Sequence, residues 1–281
     1  MKTLADFLRA RYPSAKQQTL RRMIASGRVL INEMPARRLN QPLAADAVVH
    51  VSERAALPVD RTAAPHDLDI VHEDADVLLV NKPAGVLTST VPREPRPTLL
   101  ASVRQYIAAT DPRARVGLIH RLDRDAAGLL VFSKTDRAYR SLKTQFFKHT
   151  VLRQYTAVTE GIPSPRRGRI ESRLVERADG TVRSTTRPGH GQRAISEYEV
   201  VSDHGGRSIV SVTLHTGRKH QIRVHLASRG APIVGDAVYG GAEKGKTPLM
   251  LAATTLAFDH PGTGKRVTFK LPPPPFLAMA R

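Results

Sequence analysis

Residues 117–131 read GLIHRLDRDAAGLLV, and this stretch decides how the rest of the chain is interpreted. Two apolar runs enclose a cluster of charged residues, which predicts a strand, a loop that exposes functional side chains, and a returning strand. The same pattern is also typical of an ordinary solvated turn between two strands. Asp123 and Asp125 are, in addition, a weak candidate pair of metal ligands. This segment alone therefore leaves its chemistry open.

A second charged segment, LHTGRKHQIRVHL, occupies residues 214–226. Thr216 and Gly217 are suitable residues for a helix start, so a helix is predicted from Lys219 to Ser228. The N–H groups and cations at the start of this helix would face an anion such as phosphate. The alternative interpretation is an exposed basic helix that binds nothing.

The spacing within this predicted helix assigns an inner side to it. Ile222 and Leu226 are four residues apart and are expected to pack inward together. Arg223 follows Ile222 directly, so its side chain is expected to be half buried. Because a charge removed from water needs a partner, the segment predicts an ion pair between Arg223 and a carboxylate.

Composition and charge indicate a folded protein with a polyanionic partner. The chain has 281 residues, with 44 Lys and Arg against 25 Asp and Glu, which leaves a formal charge of +19. Clustered cations release counterions from phosphates, so such an excess favours nucleic acid as the partner over a merely basic surface. The 41% of hydrophobic residues places this charge on a folded body rather than on a disordered tail.

Several classes of site and location are disfavoured by what the chain lacks. It has no cysteine, which excludes disulfides, thiolate catalysis and cysteine-based zinc sites. The first residues, MKTLAD, do not resemble a signal peptide. No apolar run approaches the roughly 20 residues of a membrane span. A soluble, cytoplasmic protein without membrane contact is therefore expected.

The order of apolar and turn residues predicts two domains of α+β type. Residues 1–54 show two short helices followed by short strands, residues 55–66 form a linker, and residues 67–281 form the larger domain. In the larger domain strands alternate irregularly with helical insertions, which favours α+β over regular βαβ winding. Five arginines of the first domain are candidate RNA contacts, namely Arg21, Arg22, Arg28, Arg37 and Arg38.

Two further motifs are weaker than they first look. Residues 240–247, GGAEKGKT, match the nucleotide-binding pattern G-x-x-x-x-G-K-T. Pro248 disfavours the helical conformation that Thr247 would need, so a surface loop and no nucleotide cofactor are predicted.

Three histidines recur every five residues, namely His215, His220 and His225. Five helical steps turn a side chain to roughly the opposite face, so no metal site is predicted.

Taken together, the two charged segments resemble the motifs of the RluA-like pseudouridine synthases. The family patterns H-R-L-D-x-x-[TA]-[SA]-G-L-L and T-G-R-x-H-Q-I-R-V-H-L appear in order at residues 120–130 and 216–226. The stretches KPAG at 82–85, RQYTA at 153–157 and GAPIVGDAVYG at 230–240 fit the same family. Ala126 and Ala127 replace a Thr-Ser pair often found there. The resemblance covers about residues 66–275 and implies a mixed, largely antiparallel sheet around an active-site cleft.

The resemblance also implies roles for individual residues. Asp123 is the catalytic carboxylate, Arg223 is the cation that keeps it charged, and Tyr155 stacks on the flipped base. No cofactor is expected, because the reaction is redox neutral. Arg121 is hypothesised to fill the space that the base vacates. The remaining residues expected to bind substrate are His120, Arg218, His220, Gln221 and Ile222.

The expected partner is RNA, with the exact class left open. Residues 24–32, IASGRVLIN, resemble part of an S4 RNA-binding domain, which favours large-subunit ribosomal RNA over tRNA as the substrate of a monomeric enzyme. The alternatives are a tRNA pseudouridine synthase, a non-catalytic RNA-binding or ribosome-assembly factor, and a P-loop nucleotidase. Only a catalyst has a reason to retain Asp123, Tyr155 and Arg223 together.

Overall fold

The chain forms two compact units in a computed structural model, Met1–Thr62 and Ala63–Arg281. The residues described are 3–13, 15–25, 29–32, 34–36, 38–44, 47–51, 68–89, 97–111, 114–242 and 244–280. The predicted linker, 55–66, lies outside these residues, as do Arg28 and Arg37. Among the helices described here, none is long and apolar enough to cross a membrane.

The first unit is a small helix-and-sheet module. Its elements are α1 (Leu4–Arg11), α2 (Gln17–Ala25), β1 (Val29–Ile31), β2 (Met34–Pro35) and β3 (Val49–Val51). The side chain of Thr3 accepts the N–H of Asp6 while the Asp6 carboxylate accepts the N–H of Thr3, so a capping box begins α1. Strand β1 pairs antiparallel with β2 on one side and β3 on the other. Leu4, Leu8 and Leu20 are fully buried and form the centre of its core.

The second unit is built mainly from strands. Its elements are β4 (Ile70–Glu73), β5 (Val77–Lys82), α3 (Leu99–Thr110), β6 (Gly117–Leu118), β7 (Ala127–Ser133), α4 (Asp136–Phe147), β8 (Leu152–Glu160), β9 (Arg167–Glu176), β10 (Val182–Thr185), β11 (Gln192–His204), β12 (Arg207–Leu214), α5 (Gln221–Ala227), β13 (Leu251–Asp259), β14 (Arg266–Lys270) and a 3-10 helix (Pro275–Ala280).

One mixed sheet connects all strands described in this unit, in the order β10-β9-β11-β12-β8-β13-β7-β5-β4. Strand β14 also pairs with β13, and β6 with β7. Neighbouring strands run antiparallel, except that β13 and β7 pair parallel through Ala252 with Ala127 and Ala253 with Gly128. The predicted α+β class with a mixed, largely antiparallel sheet is therefore confirmed.

The sheet buries both of its faces, which explains the continuous apolar runs of its central strands. In β5, Leu78 and Val80 belong to one core cluster, whereas Val77 and Leu79 belong to the other. Helix α3 covers the first face, and Leu142 of α4 packs into the second. The loop between β6 and β7, which contains Asp123, therefore starts and ends on a rigid support.

The helix predicted for Lys219–Ser228 is shorter than expected, and the prediction of its start is wrong. Helix α5 begins at Gln221 and ends at Ala227, and its N-cap residue is His220, in a left-handed conformation with φ 53°. The hydroxyl of Thr216 does not cap it, because this oxygen accepts the N–H of Ile195 and donates to Oε1 of Gln221. Ile222 and Leu226 lie in the core as predicted.

Candidate active site

The β6–β7 loop and the segment before α5 meet across a cleft of about 720 Å³. The end of α4 and the start of β8 complete its walls. All nine residues predicted to be catalytic or to bind substrate line this cleft, namely His120, Arg121, Asp123, Tyr155, Arg218, His220, Gln221, Ile222 and Arg223. The fold thus brings together two segments that lie far apart in the sequence.

Asp123 is the carboxylate at the centre of the cleft. Its side chain is 22% exposed, and its Oδ2 accepts a hydrogen bond from Nη1 of Arg223 at 3.3 Å. The preceding residue is fixed by Thr88, whose hydroxyl donates to the carbonyl of Leu122 and accepts the N–H of the same residue. The carboxylate is therefore presented from a loop that is held in place at its neighbour.

Arg223 has a second carboxylate partner, Asp236, which the sequence interpretation missed. Nε and Nη2 of Arg223 donate to the two oxygens of Asp236 at 2.7 and 2.8 Å, which is the bidentate geometry of a strong ion pair. The Asp236 side chain is fully buried and also accepts the N–H groups of Val238 and Tyr239. Asp236 therefore binds Nε and Nη2 of the guanidinium, and Nη1 donates to Asp123.

The pKa values of this pair follow from the balance between burial and bonding. Burial alone would raise the pKa of Asp236, but hydrogen bonds from Arg223 and from the Tyr239 backbone outweigh it, so the pKa lies below its ordinary value. Burial would likewise lower the pKa of Arg223, but Asp236 and Asp123 raise it instead. Both groups are therefore held in their charged forms. The missed partner had a signal in the sequence, because Asp236 belongs to the motif GAPIVGDAVYG.

Lys82, the last residue of β5, connects this strand to the loop that carries Asp123. It is fully buried, and its ammonium donates to the carbonyls of Pro83, Val86 and Arg124 at 2.8 to 2.9 Å. Burial lowers the pKa of Lys82 to about 8, against the opposing effect of the nearby carboxylates of Asp125 and Asp123. Three carbonyls require three N–H donors, so the lysine holds this loop best in its protonated form.

An apolar floor lies next to the Asp123 carboxylate. Tyr155, on β8, is 6% exposed, and Ile222 is 4% exposed. Burial raises the pKa of the Tyr155 phenol. Arg153 works against this increase, whereas Asp123 adds to it. Leu251, at the start of β13, extends the same surface. A flat, uncharged ring such as a nucleobase fits against a floor of this kind.

Two of the residues predicted to bind substrate are already bonded within the protein. Nε2 of His120 accepts the N–H of Val131, its ring stacks on Phe146, and burial lowers its pKa to about 3. The amide of Gln221 donates to the carbonyl of Ile195 and to the Ser196 hydroxyl. Its oxygen accepts from Thr216 and Arg218. In this structure both residues shape the walls of the cleft.

The other predicted residues are more open to the cleft. Arg121 is exposed at its rim, and Arg218 is half-buried, with its Nε donating to the carbonyl of Arg193. Nδ1 of His220 lies 2.9 Å from the Tyr239 hydroxyl. In the first unit, Arg21 and Arg38 are exposed, whereas the side chain of Arg22 lies outside the described residues.

The histidines and the glycine-rich segment have other partners. The histidines contact different groups: His215 pairs with Glu197, His220 with Tyr239, and His225 with Ser172 and Ser196. In the described residues around 240–248 the chain forms turns before β13, rather than the strand, loop and helix of a nucleotide site.

Comparisons with known proteins identify the family of this chain. Residues 76–228 match the family model described as RNA pseudouridylate synthase. The chain is 36% identical over 264 residues to the uncharacterized RNA pseudouridine synthase YlyB of Bacillus subtilis. This alignment covers 91% of this chain and 85% of the relative. It is 35% identical over 231 residues to ribosomal large subunit pseudouridine synthase D of Zymomonas mobilis, covering 76% of this chain and 73% of that protein.

A solved structure shows the same fold. Human RNA pseudouridylate synthase domain containing 4 superposes with a TM-score of 0.64 at 22% identity, covering 75% of this chain and 90% of that one. The solved structure supports the fold, and the cleft brings Asp123, Tyr155 and Arg223 together. The family match covers more than half of the chain and identifies the family. The chain belongs to the RNA pseudouridylate synthase family and is an isomerase that converts uridine in RNA to pseudouridine.

Proposed function

We propose that this pseudouridine synthase modifies structured large-subunit ribosomal RNA and uses Asp123 as its catalytic residue. One observation carries the proposal: the Asp123 carboxylate lies 3.3 Å from Nη1 of Arg223, in a cleft whose floor contains the buried ring of Tyr155. A carboxylate nucleophile reacts in its ionised form, and the guanidinium supplies the opposite charge beside it.

The reaction needs one carboxylate and no external reactant. The bond between N1 of uracil and C1′ of the ribose breaks, the base turns, and C5 bonds to C1′; C5 loses its proton and N1 gains one, so the atoms balance. In the proposed mechanism Asp123 acts by attack on C1′, by attack on the ring, or by stabilising an eliminated sugar intermediate. The ring of Tyr155 stacks on the base while it turns, and its hydroxyl assists removal of the C5 proton.

The target uridine has to leave its stack before it can reach Asp123. Extrusion of a base costs a few kcal/mol, which the enzyme offsets by contacts to the opened RNA. Arg121 is exposed at the rim of the cleft, two residues before the catalytic carboxylate. In the proposed function this guanidinium enters the vacated space and contacts a phosphate.

Large-subunit ribosomal RNA is favoured over tRNA by two observations. A relative with 35% identity is named ribosomal large subunit pseudouridine synthase D. The sequence of the first unit is similar to an S4 RNA-binding domain, and Arg21 and Arg38 are exposed on it, so it offers a second contact to a large RNA. We propose in addition that the enzyme acts as a monomer.

The test of the catalytic assignment compares two aspartates of the same loop. Asp123→Asn keeps the size of the side chain but removes its charge, so we expect pseudouridine formation to fall at least about 10³-fold. Asp125→Asn is the matched control: the half-buried Asp125 pairs with its neighbour Arg124, and this variant should retain most activity. Unchanged turnover by the Asp123→Asn protein, with the fold verified by thermal unfolding, would remove Asp123 from the mechanism.

The test of the RNA class is pseudouridine mapping in cells with and without the gene. We expect sites in large-subunit ribosomal RNA to disappear on deletion and to return with the wild-type protein but not with Asp123→Asn. Loss of sites in tRNA alone would replace the proposed substrate with the tRNA alternative. Binding of RNA by a protein whose deletion changes no site would favour the assembly-factor alternative.

A further inference from the structure

Arg153 is a buried cation for which the described residues supply no carboxylate. It is 8% exposed, and its Nη2 donates to the carbonyl of Leu214 at 3.3 Å. Its Nε is buried without a hydrogen-bond partner among the described residues. A guanidinium in this situation has lost its hydration without gaining an opposite charge, which is unfavourable unless a ligand supplies that charge.

Two neighbours hold the Arg153 guanidinium in place. The ring of Phe146 lies 5.5 Å from its Cζ, within the range of a cation–π contact. A Cβ added to Gly217 would lie 2.6 Å from Nη1, so the bare glycine leaves room for the guanidinium. The glycine of the motif T-G-R therefore has a structural reason in this chain.

The position of Arg153 directs it toward the substrate. Arg153 and Tyr155 are two residues apart on β8, so their side chains leave the same face of the strand, and both line the cleft. The base is proposed to stack on Tyr155, so a group bound by Arg153 belongs to the same nucleotide or to its neighbour in the strand.

The surrounding charge is positive as well. Arg121, Lys143 and Arg218 line the same cleft. Only two acidic residues do so among the described lining residues, and both are paired: Asp123 with Arg223, and Glu176 with Lys219. Burial lowers the pKa of Arg153, Tyr155 raises it in part, and Arg218 lowers it again. The cleft therefore lacks an anion on the side of Arg153.

We propose that Arg153, supported by Arg218 and Lys143, binds a phosphodiester group of the RNA strand next to the target uridine. The Leu214 carbonyl takes one N–H of Nη2, and the remaining N–H groups of Nη1 and Nη2 are donors that match the oxygens of a phosphate. The bound phosphate fixes the ribose relative to Asp123, so Arg153 acts as a positioning residue. The inference rests on the proposed function and adds to it the site that holds the RNA backbone.

The test pairs a protein variant with a chemically altered RNA. Stem-loops that contain the mapped uridine are made with one neutral methylphosphonate at a time in the linkages around it. For the wild type, one such linkage should weaken binding about tenfold in fluorescence anisotropy and raise KM similarly. For Arg153→Met the same substitution should have no further effect, because its partner charge is already absent. An equal loss in both proteins at every linkage would overturn the proposal.

Stability separates this role from a purely structural one. Because Arg153→Met removes an unpaired buried charge, we expect its Tm without RNA to equal or exceed that of the wild type, while RNA binding falls. A lower Tm with unaltered RNA affinity would contradict the inference. Arg153→Lys, which retains charge but not the planar fork, serves as a second variant if the methionine protein fails to fold, and should show a smaller methylphosphonate effect than the wild type.

Two further outcomes are distinguishable. If inorganic phosphate raises the Tm of the wild type but not of Arg153→Met, while no methylphosphonate matters, the site takes a free anion and the proposal is overturned. The anisotropy measurements need no turnover. A failure of Asp123 as catalyst would therefore leave the phosphate site testable, and a failure of the phosphate site would leave the catalytic assignment intact.

Discussion

Asp236 and Asp123 share one arginine, and this sharing is the main feature of the site at the scale of residues. Asp236 is fully buried and takes two donors of Arg223, while Asp123 is partly exposed and takes a third. A lysine offers one point of charge and cannot bridge two carboxylates in fixed directions. The guanidinium therefore fixes the direction in which the Asp123 carboxylate is held.

Asp236→Asn is predicted to affect both stability and turnover. The change leaves the buried Arg223 without its bidentate partner, and breaking a buried pair costs about 3–5 kcal/mol. We expect a lower Tm and at least a tenfold lower kcat, because Arg223 is no longer fixed beside Asp123. Asp259→Asn is the control: its exposed pair with Arg266 should contribute less than about 1 kcal/mol. A normal kcat for Asp236→Asn would show that Arg223 needs no second carboxylate.

His225 predicts a loss of stability in mild acid. It is 1% exposed between Ser172 and Ser196, and burial, with a smaller effect of Arg229, lowers its pKa from 6.5 to about 4. As the pH falls below 6.5 the unfolded chain binds a proton that the folded chain refuses, so the free energy of unfolding falls by about 1.4 kcal/mol per pH unit until about pH 4.

The measurement for His225 is urea unfolding between pH 7 and pH 5. The variant His225→Gln cannot titrate, so the pH dependence of its unfolding free energy should be shallower than that of the wild type. His120, whose pKa is lowered to about 3, works in the same direction and leaves part of the slope in place. Identical slopes for the two proteins would contradict a neutral, buried His225.

Sequence reasoning reached some of these residues and not others. Asp123, Tyr155 and Arg223 stand in recognisable motifs, and the structure places all three in one cleft. The need of Arg223 for a carboxylate followed from its expected burial, but the identity of Asp236 did not, because the residue that meets a buried charge depends on tertiary packing. Arg153 could not be singled out from the sequence either, because only tertiary packing shows that it is buried with no carboxylate beside it among the described residues.

Strands β7 and β13 meet at an unusually close contact, which matters at the scale of elements. Gly128, with φ +114°, sits directly beside the backbone of Ala253, and an added Cβ would lie 2.3 Å from the Ala253 carbonyl oxygen. This is the parallel pairing that joins the two halves of the sheet. The glycine before the apolar run of β7 therefore permits β7 and β13 to pair immediately after the loop that carries Asp123.

Gly128→Ala is predicted to be far more damaging than a matched glycine change. Gly264 also has a positive φ, +70°, but an added Cβ there meets nothing within 4 Å. Gly264→Ala should cost about 1–2 kcal/mol for the left-handed backbone alone. Gly128→Ala adds a backbone collision, so we expect a much larger drop in Tm or no soluble protein. Equal Tm values would show that β7 and β13 can separate at this point without loss.

Elements were easier to predict from the sequence than their connections. Helix α4 starts after Thr135, whose hydroxyl accepts the N–H of Ala138, and threonine is a residue type that marks helix starts in a sequence. The start of α5 was mispredicted because Thr216 uses its hydroxyl within the loop instead. The sheet order was not predictable, since strands such as β8 and β13 pair across a long stretch of chain.

At the scale of the whole molecule, the +19 charge is distributed over two units that are expected to contact RNA separately. The sequence predicted a basic, folded, RNA-binding chain correctly in class, since charge and motifs are properties of composition and order. The S4-like motif of the first unit favours ribosomal RNA, but charge and motifs alone do not identify the target uridine, because its selection depends on the shape of a large RNA.

A chain that begins at Ala63 is predicted to separate catalysis from RNA selection. It retains every lining residue of the cleft, so modification of a short stem-loop should continue at a comparable rate. On the large-subunit RNA its affinity should fall, and the dependence of log affinity on log salt should become less steep, because fewer phosphates are contacted. Binding titrations at several KCl concentrations measure this; an unchanged slope would mean that the first unit contacts no RNA phosphate.

The parallel pairing of β7 with β13 has a consequence for the synthesis of this protein. Strand β7 ends at Ser133 and its partner begins at Leu251, so the centre of the sheet cannot form until a strand that lies far later in the chain has been made. Contacts so distant in the chain form late and slowly in folding. A nascent chain that has emerged only through β12 already carries Asp123 but lacks Arg223 and Asp236. The ion pairs that join Asp123, Arg223 and Asp236 therefore cannot form until the segment through Asp236 has been made.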